Sequence, residues 1–276
     1  MDVSIGNDGT YERLAGLVSS QFGIQLDPSK QDLVLGRLRR IMRDRGYATL
    51  DDYVAAELAS PSPGALSDLI DRISTNHTYF WRESGHFTLF TELLRELISQ
   101  REATGQRDVR VWCAACSSGE EPYTLAMLLL EALGPRRARW QAGVLATDIS
   151  SRVLEVARAG IYGVENVARL PDAMARRWFN RRSGDVVEVA AELREEVMFR
   201  RLNLMNERFP FKAPFDFIFI RNVMIYFDAD TRAALIARLR RHLNIGGYLV
   251  VGHSESLPQG ADGMVSVRPS VYRRVT

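Results

Sequence analysis

The chain has 276 residues, enough to bury a substantial core and better suited to one large domain with a smaller companion than to one compact unit. Hydrophobic residues make up 46% and charged residues 25%, a globular balance that excludes a disordered or fibrous chain. A formal net charge of +2 does not by itself imply nucleic-acid binding, so any electrostatic function rests on how the charges cluster.

The start, MDVSIGNDGTYERL, has no basic segment followed by an apolar run and a small-residue cleavage site, and no later stretch is apolar for long enough to span a bilayer. A cytoplasmic protein with no direct membrane insertion is expected. Up to about Ser84 apolar residues recur at helical spacing, with no convincing strand, which predicts a small helical domain. Its first helix is predicted from near Thr10 to Phe22. The Asp27-Pro28 pair then starts a second helix by capping, Gly46 stops it, and Pro61, Pro63 and Gly64 break the next pair. The second helix, Lys30 to Arg45, keeps Val34, Leu35, Leu38, Ile41 and Met42 on one face. Arg39, Arg40 and Arg43 occupy the other and form a basic stripe. Such a stripe is most often a solvated helix face, and a nucleic-acid contact is conceivable.

From Arg107 the pattern changes. VRVWCAA reads as a strand, TLAMLLLEAL as a buried helix, AGVLATD as a strand and SSRVLEVARA as a helix. Later, FDFIFI and YLVVGH are apolar strands on either side of the helix DTRAALIARLRRHL, in the same parallel style. A doubly wound α/β domain is predicted. Between the two halves, GDVVEVAAELREEVMFRRLNL alternates and carries turn formers, which suggests a small antiparallel insertion.

The first α/β turn, Cys113-Ala114-Ala115-Cys116-Ser117-Ser118-Gly119-Glu120-Glu121-Pro122-Tyr123, puts small residues where backbone can approach a ligand. It lacks both the spaced glycines of the dinucleotide fingerprint and the Gly-Lys-Ser/Thr of a phosphate loop. Carboxylates at Glu120 and Glu121 would repel a pyrophosphate but attract a ligand with an ammonium group and a positive sulfur, such as S-adenosylmethionine. Asp148 ends the second strand, where such folds set an acid against ribose hydroxyls. Capping of the helix SSRVLEV accounts for it almost equally well. Cys113 and Cys116 have no second cysteine pair, and His77, His86, His242 and His253 are scattered, so a redox or zinc role is set below simple packing.

Five strings carry a resemblance to a known family: Asn76-His-Thr78-Tyr-Phe-Trp-Arg82-Glu83, Ser-Ser-Gly-Glu-Glu-Pro-Tyr, Ala146-Thr-Asp148-Ile, Arg221-Asn222-Val-Met-Ile-Tyr226-Phe-Asp228, and Gly252-His253-Ser254-Glu255-Ser256. In this order they resemble the chemotaxis receptor methyltransferase (CheR) family over nearly the whole chain. The resemblance implies a class I S-adenosylmethionine-dependent methyltransferase domain with a Rossmann-like doubly wound sheet, over residues 85–276. A small antiparallel β-subdomain would be inserted at about 161–201, and a helical receptor-recognition domain and linker would occupy residues 1–84.

It further implies that Asn76, Thr78 and Arg82 close over the cofactor, that Glu121 and Asp148 hold it with Asp148 at the ribose, and that Asn203 and Leu204 lie beside the adenine. Arg221 and Asn222 would add contacts after the later strand, and Arg82 with Tyr226 would position the reacting groups. Methyl transfer from a sulfonium to glutamate needs no metal and no base, because a carboxyl with a pKa of about 4.3 is already an anion at neutral pH. Arg82 could orient the substrate carboxylate or hold that of the cofactor. The implied partner is the cytoplasmic helical bundle of a chemoreceptor, met by Arg37, Arg39, Arg40 and Arg43. The short turn at Ser183-Gly184-Asp185 argues against tethering to a receptor's C-terminal peptide. A monomer is expected, with S-adenosylhomocysteine as product. A methyltransferase for another substrate and an inactive S-adenosylmethionine sensor are the rival readings.

Overall fold

Helix-spaced apolar residues build the first part of the chain, as seen in a computed structural model that describes residues 8–59, 61–257 and 263–276. Helix α1 (Asp8–Phe22) is followed by a 3₁₀ turn (Pro28–Lys30), where the Asp27 carboxylate accepts the Ser29 N–H. Helix α2 (Gln31–Asp44) follows directly. Helix α3 (Leu50–Tyr53) is capped by Thr49 and runs on into a π turn (Val54–Leu58). Helix α4 (Pro63–Ile73) starts at Ser62, whose hydroxyl accepts the Ala65 N–H; Pro63, placed in the first turn, costs that helix no internal hydrogen bond. Leu14, Val18, Leu38, Met42, Leu69 and Ile70 fill a core of these helices, against which Ile149 of the later domain also packs.

The remaining elements are α5 (Ser84–Ala103), β1 (Asp108–Cys113), α6 (Glu120–Leu133), β2 (Gln141–Asp148), α7 (Ser151–Ala159), β3 (Ile161–Gly163), α8 (Val164–Val167), α9 (Asp172–Trp178) and β4 (Phe179–Arg181). They continue with β5 (Val186–Val189), α10 (Ala191–Arg194), β6 (Val197–Arg201), β7 (Phe215–Ile220), α11 (Ala229–Arg241), β8 (Leu243–Val251), β9 (Met264–Arg268) and β10 (Val271–Arg274). A seven-stranded sheet has the order β6-β2-β1-β7-β8-β10-β9. Its first five strands are parallel, and β10 and β9 add an antiparallel edge. One face packs on α5 and α6 through Phe90, Leu94, Leu125 and Leu129, the other on α11 through Leu235 and Leu239. All six residues of β7 are buried, as a central strand covered on both faces requires. Asp216 within it is neutralised by Arg101 of α5 and also accepts from the Arg110 N–H and the Asn244 amide.

The insertion is smaller than its sequence pattern suggests. Strands β3, β5 and β4 form a three-stranded antiparallel sheet, but β6 leaves it and pairs in parallel with β2, from Val144 opposite Val197 to Asp148 opposite Arg201. As an edge strand β6 buries Val197 and Phe199 and exposes Met198 and Arg200, so its alternation looks like that of a hairpin. Helix α5 lies in a stretch to which the sequence reading assigns no element.

Candidate functional site

Parallel connections place the carboxyl ends of β1, β2, β6 and β7 along one edge of the sheet. The chain moves one way from β1 to β2 and the other way from β7 to β8, so β1 and β7 flank the switch point where ligands bind in such folds. A cleft of about 430 Å³ opens there, within the usual range for a small-molecule site. Asn76, Thr78, Arg82, Glu121, Asp148, Asn203, Leu204, Arg221, Asn222 and Tyr226 all border it, together with Phe22, Ile24, Leu33 and Arg37 from the helical domain.

The electrostatic centre is Arg221, just past β7 and almost fully buried. Its Nη1 pairs with Glu121 at the start of α6, and its Nη2 lies 3.0 Å from Glu83 Oε2 and 2.6 Å from the Arg82 carbonyl. Its Nε is buried and has no acceptor among the described residues. Among the described residues, Glu121 Oε1 takes only the weak Cys113 thiol donor, at 3.1 Å. Burial alone would raise the Glu83 carboxyl, but Arg221 and the Asn222 amide outweigh it and hold Glu83 below its ordinary range. The site is thus an ionic network of two carboxylates sharing one guanidinium rather than a pair of bare acids. Glu120, expected to share the ligand's charge with Glu121, is buried and accepts from the Ser118 hydroxyl instead, and it does not line the cleft.

Asp148 is not the cap of α7. Ser150 caps that helix, its hydroxyl accepting the Val153 N–H. Asp148 accepts the Ser117 N–H at 2.8 Å and the Ser150 N–H at 3.0 Å, which fixes the small-residue turn against the end of β2. Burial pushes its carboxyl up, partly offset by these donors. Both thiols are buried and pushed well up by burial, with Glu121 acting further on Cys113 and Asp148 on Cys116, so they are packing residues and not nucleophiles.

Four non-glycine residues around the cleft hold left-handed backbone: Trp81 (φ 65°), Glu83 (φ 57°), Ser117 (φ 48°) and Asn222 (φ 58°). Each costs about 1 kcal/mol or more and persists because neighbours over-determine it. Trp81 stacks on Phe87, and Phe80 is fully buried against Tyr162 and Phe179 of the insertion. The Tyr162 hydroxyl donates to the Ser118 carbonyl at 2.7 Å, joining the insertion to the small-residue turn, while the Ser117 hydroxyl donates to the Asn76 carbonyl. Glu255 accepts from the backbone N–H groups of Asn222, Ile225 and Gly252, and a Cβ at Gly252 would lie 2.6 Å from the Asn222 amide. Glu83, Tyr162 and Glu255 received no role from the sequence. Glu83 and Glu255 stand inside quoted motifs, which was the available signal.

Arg82 is half-buried, donates to the His77 carbonyl at 2.7 Å and stands 5.9 Å from the Tyr79 ring. The Tyr226 hydroxyl and the Thr78 side chain make no hydrogen bond among the described residues, whereas the Tyr226 carbonyl accepts the Gln25 N–H at 2.8 Å. Asn203 spends both side-chain groups on protein, donating to the Gln21 carbonyl and accepting the Met205 N–H, so it ties α1 to the segment after β6. On α2, Arg39, Arg40 and Arg43 are exposed, and Arg40 faces Asp44 at 3.8 Å. Arg37 departs from that stripe: it donates to the Ile73 carbonyl and the Thr75 hydroxyl and lines the cleft.

The histidines are not all scattered. His86 and His253 are in edge contact at 4.6 Å between ring centroids, and Glu83 completes a group whose ligand atoms lie within 4.8 Å. That donor set does not suit a divalent ion, because Glu83 is already engaged by Arg221, the Asn222 amide and the His253 N–H. Burial, then Arg221 and His253, hold His86 down at about 4, so the ring is neutral near pH 7.

Residues 76–272 match the family described as CheR methyltransferase, SAM binding domain, and residues 9–74 match CheR methyltransferase, all-alpha domain. The chemotaxis protein methyltransferase of Borreliella burgdorferi is 39% identical over 275 residues, covering 99% of this chain and 96% of the relative. That of Escherichia coli is 38% identical over 253 residues, covering 91% and 85%. Chemotaxis protein methyltransferase 2 of Pseudomonas aeruginosa is 36% identical over 253 residues, covering 91% and 87%. The chain belongs to the chemotaxis protein methyltransferase (CheR) family and is an S-adenosylmethionine-dependent methyltransferase.

Proposed function

We propose that the chain methylates glutamate side chains in the cytoplasmic helical bundle of chemoreceptors, giving glutamate methyl esters and S-adenosylhomocysteine. The observation that carries this is a single cleft bordered by both the strand-end residues and the domain that bears the basic helix α2.

The cleft residues fit the cofactor. Glu121 and Asp148 keep acceptor capacity for an ammonium group and for ribose hydroxyls, and the orphaned Nε of Arg221 suits a carboxylate. When bound, S-adenosylmethionine supplies a methyl carbon made electrophilic by a positively charged sulfur. The substrate glutamate arrives as an anion, so no residue here acts as a base. What the protein adds is alignment and water exclusion: Phe22, Ile24 and Leu33 wall the cleft from the helical side, and Arg82 and Tyr226 border it with donors to spare. Charge is neutralised in the transition state, so a tight grip by Arg82 on the glutamate would slow transfer. Its bond to the His77 carbonyl moderates that grip.

Arg39 and Arg43 are exposed and make no ion pair among the described residues, which suits an acidic helical partner. No helix of the described residues is long and apolar enough to cross a membrane. The test is incubation with methyl-labelled S-adenosylmethionine and a purified receptor cytoplasmic domain. Base-labile label on the receptor is expected, with transfer weakened by added salt and by Arg39→Glu. Salt-insensitive transfer unaffected by Arg39→Glu would remove α2 from the interface.

A further inference from the structure

Tyr79 stands on the linker, lines the cleft and has two guanidinium groups near its ring. Arg169, in the turn between α8 and α9 of the insertion, has its guanidinium carbon 4.1 Å from the Tyr79 ring centroid, and Arg82 has its own at 5.9 Å. The two guanidinium carbons are therefore at most about 10 Å apart. Arg169 is exposed and makes no hydrogen bond or ion pair among the described residues. Stacking fixes the plane of a guanidinium but leaves its N–H donors, which radiate in that plane, open to a ligand. An unpaired cation held in place beside the reaction centre is a ready carboxylate receiver, and a carboxylate can take it bidentately.

Resting on the reading that the substrate is a receptor helix, we propose that Arg169 on Tyr79 is a second carboxylate-binding position. It takes an acidic side chain of the same substrate, one helical turn from the glutamate being methylated. A helix rises about 5.4 Å per turn, so two acids one turn apart on one face fall within the span of at most about 10 Å between the two guanidinium carbons. Binding at both positions fixes which glutamate of a helix reaches Arg82 and Tyr226, which makes Arg169 a determinant of site selection. Its stacking on Tyr79 lowers the entropy lost when the carboxylate arrives.

The test uses the full chain, methyl-labelled S-adenosylmethionine and a receptor cytoplasmic domain in steady state. Arg169→Ala is expected to raise KM for the receptor by about fivefold and Arg169→Glu by more, Arg169→Lys to recover part of the loss, and kcat and half-saturation by S-adenosylmethionine to move by less than about twofold. Neutralising the partner acid on the receptor should abolish the effect of Arg169→Ala. An unchanged receptor KM in Arg169→Glu overturns the proposal. So does a loss confined to kcat or to cofactor half-saturation, which would mark a purely structural brace on the linker. If the unmodified chain labels no receptor domain, the substrate reading itself fails and takes this proposal with it.

Discussion

Replacing Arg221 by Met leaves Glu83 and Glu121 facing each other without their shared cation. The three side chains are only 2%, 15% and 13% exposed, so solvent screens the loss weakly. Removing one partner from a buried ion pair costs about 3–5 kcal/mol, most of it the penalty on the charges left behind. Urea unfolding at pH 7.5, followed by far-ultraviolet dichroism, should show a loss of that size, and calorimetry should show weaker binding of S-adenosylhomocysteine. The pH dependence gives a second reading. Glu83 is depressed in the folded wild type from an ordinary value of 4.5, so its contribution is present above that value and is lost as pH falls through the folded one. The gap between wild type and Arg221→Met should therefore be widest at neutral pH and narrow as pH falls into the carboxylate range, where Glu83, raised by burial once its cation is gone, takes up a proton in the variant first. A stability loss under about 1 kcal/mol with unaltered product binding would refute the ionic-network reasoning.

Arg82→Ala and Tyr226→Phe should each lower turnover by about tenfold or more while shifting stability by less than about 1 kcal/mol; unchanged methyl transfer in folded Arg82→Ala would take it out of the reaction centre. His86 is neutral in the fold, held at about 4 against an ordinary 6.5, so the unfolded chain binds the extra proton between these values. Wild-type stability should rise with pH across that window by about 3 kcal/mol in all, and His86→Phe should flatten the slope in unfolding measured from pH 4 to 7. Tyr162→Phe keeps the ring against Phe80 but removes the bond to the Ser118 carbonyl. It should cost about 1 kcal/mol and weaken S-adenosylhomocysteine binding several-fold by calorimetry, whereas unchanged affinity would show that the insertion does not brace the cofactor turn.

Periodicity made most of the fold legible. The helical core residues of α2 recur every three or four positions, and β7 is an unbroken apolar run. Strand β6 was misread because an edge strand in a parallel sheet alternates like a hairpin, and nothing local says which sheet it joins. Of the ten cleft residues, Glu121 and Asp148 are legible from charge and their place in the first α/β turn and at a strand end, and the other eight only through the resemblance, which names positions and not partners. That Arg221 would bind Glu83, and that Asn203 would reach back to Gln21, depends on contacts spanning well over a hundred positions. Arg37 shows the same limit: it shares a helix with Arg39 and Arg40, yet a turn of about 100° per residue points it at the linker.

The central claim is that the acceptor is a glutamate carboxylate. Mass-spectrometric peptide mapping of a receptor cytoplasmic domain after incubation with the chain and S-adenosylmethionine tests it most directly. The expected result is a single added methyl group on glutamate residues of the helical bundle, removed by mild base and much reduced with Arg82→Ala. Methyl groups on nitrogen or stable to base, or none on any receptor domain, would contradict it.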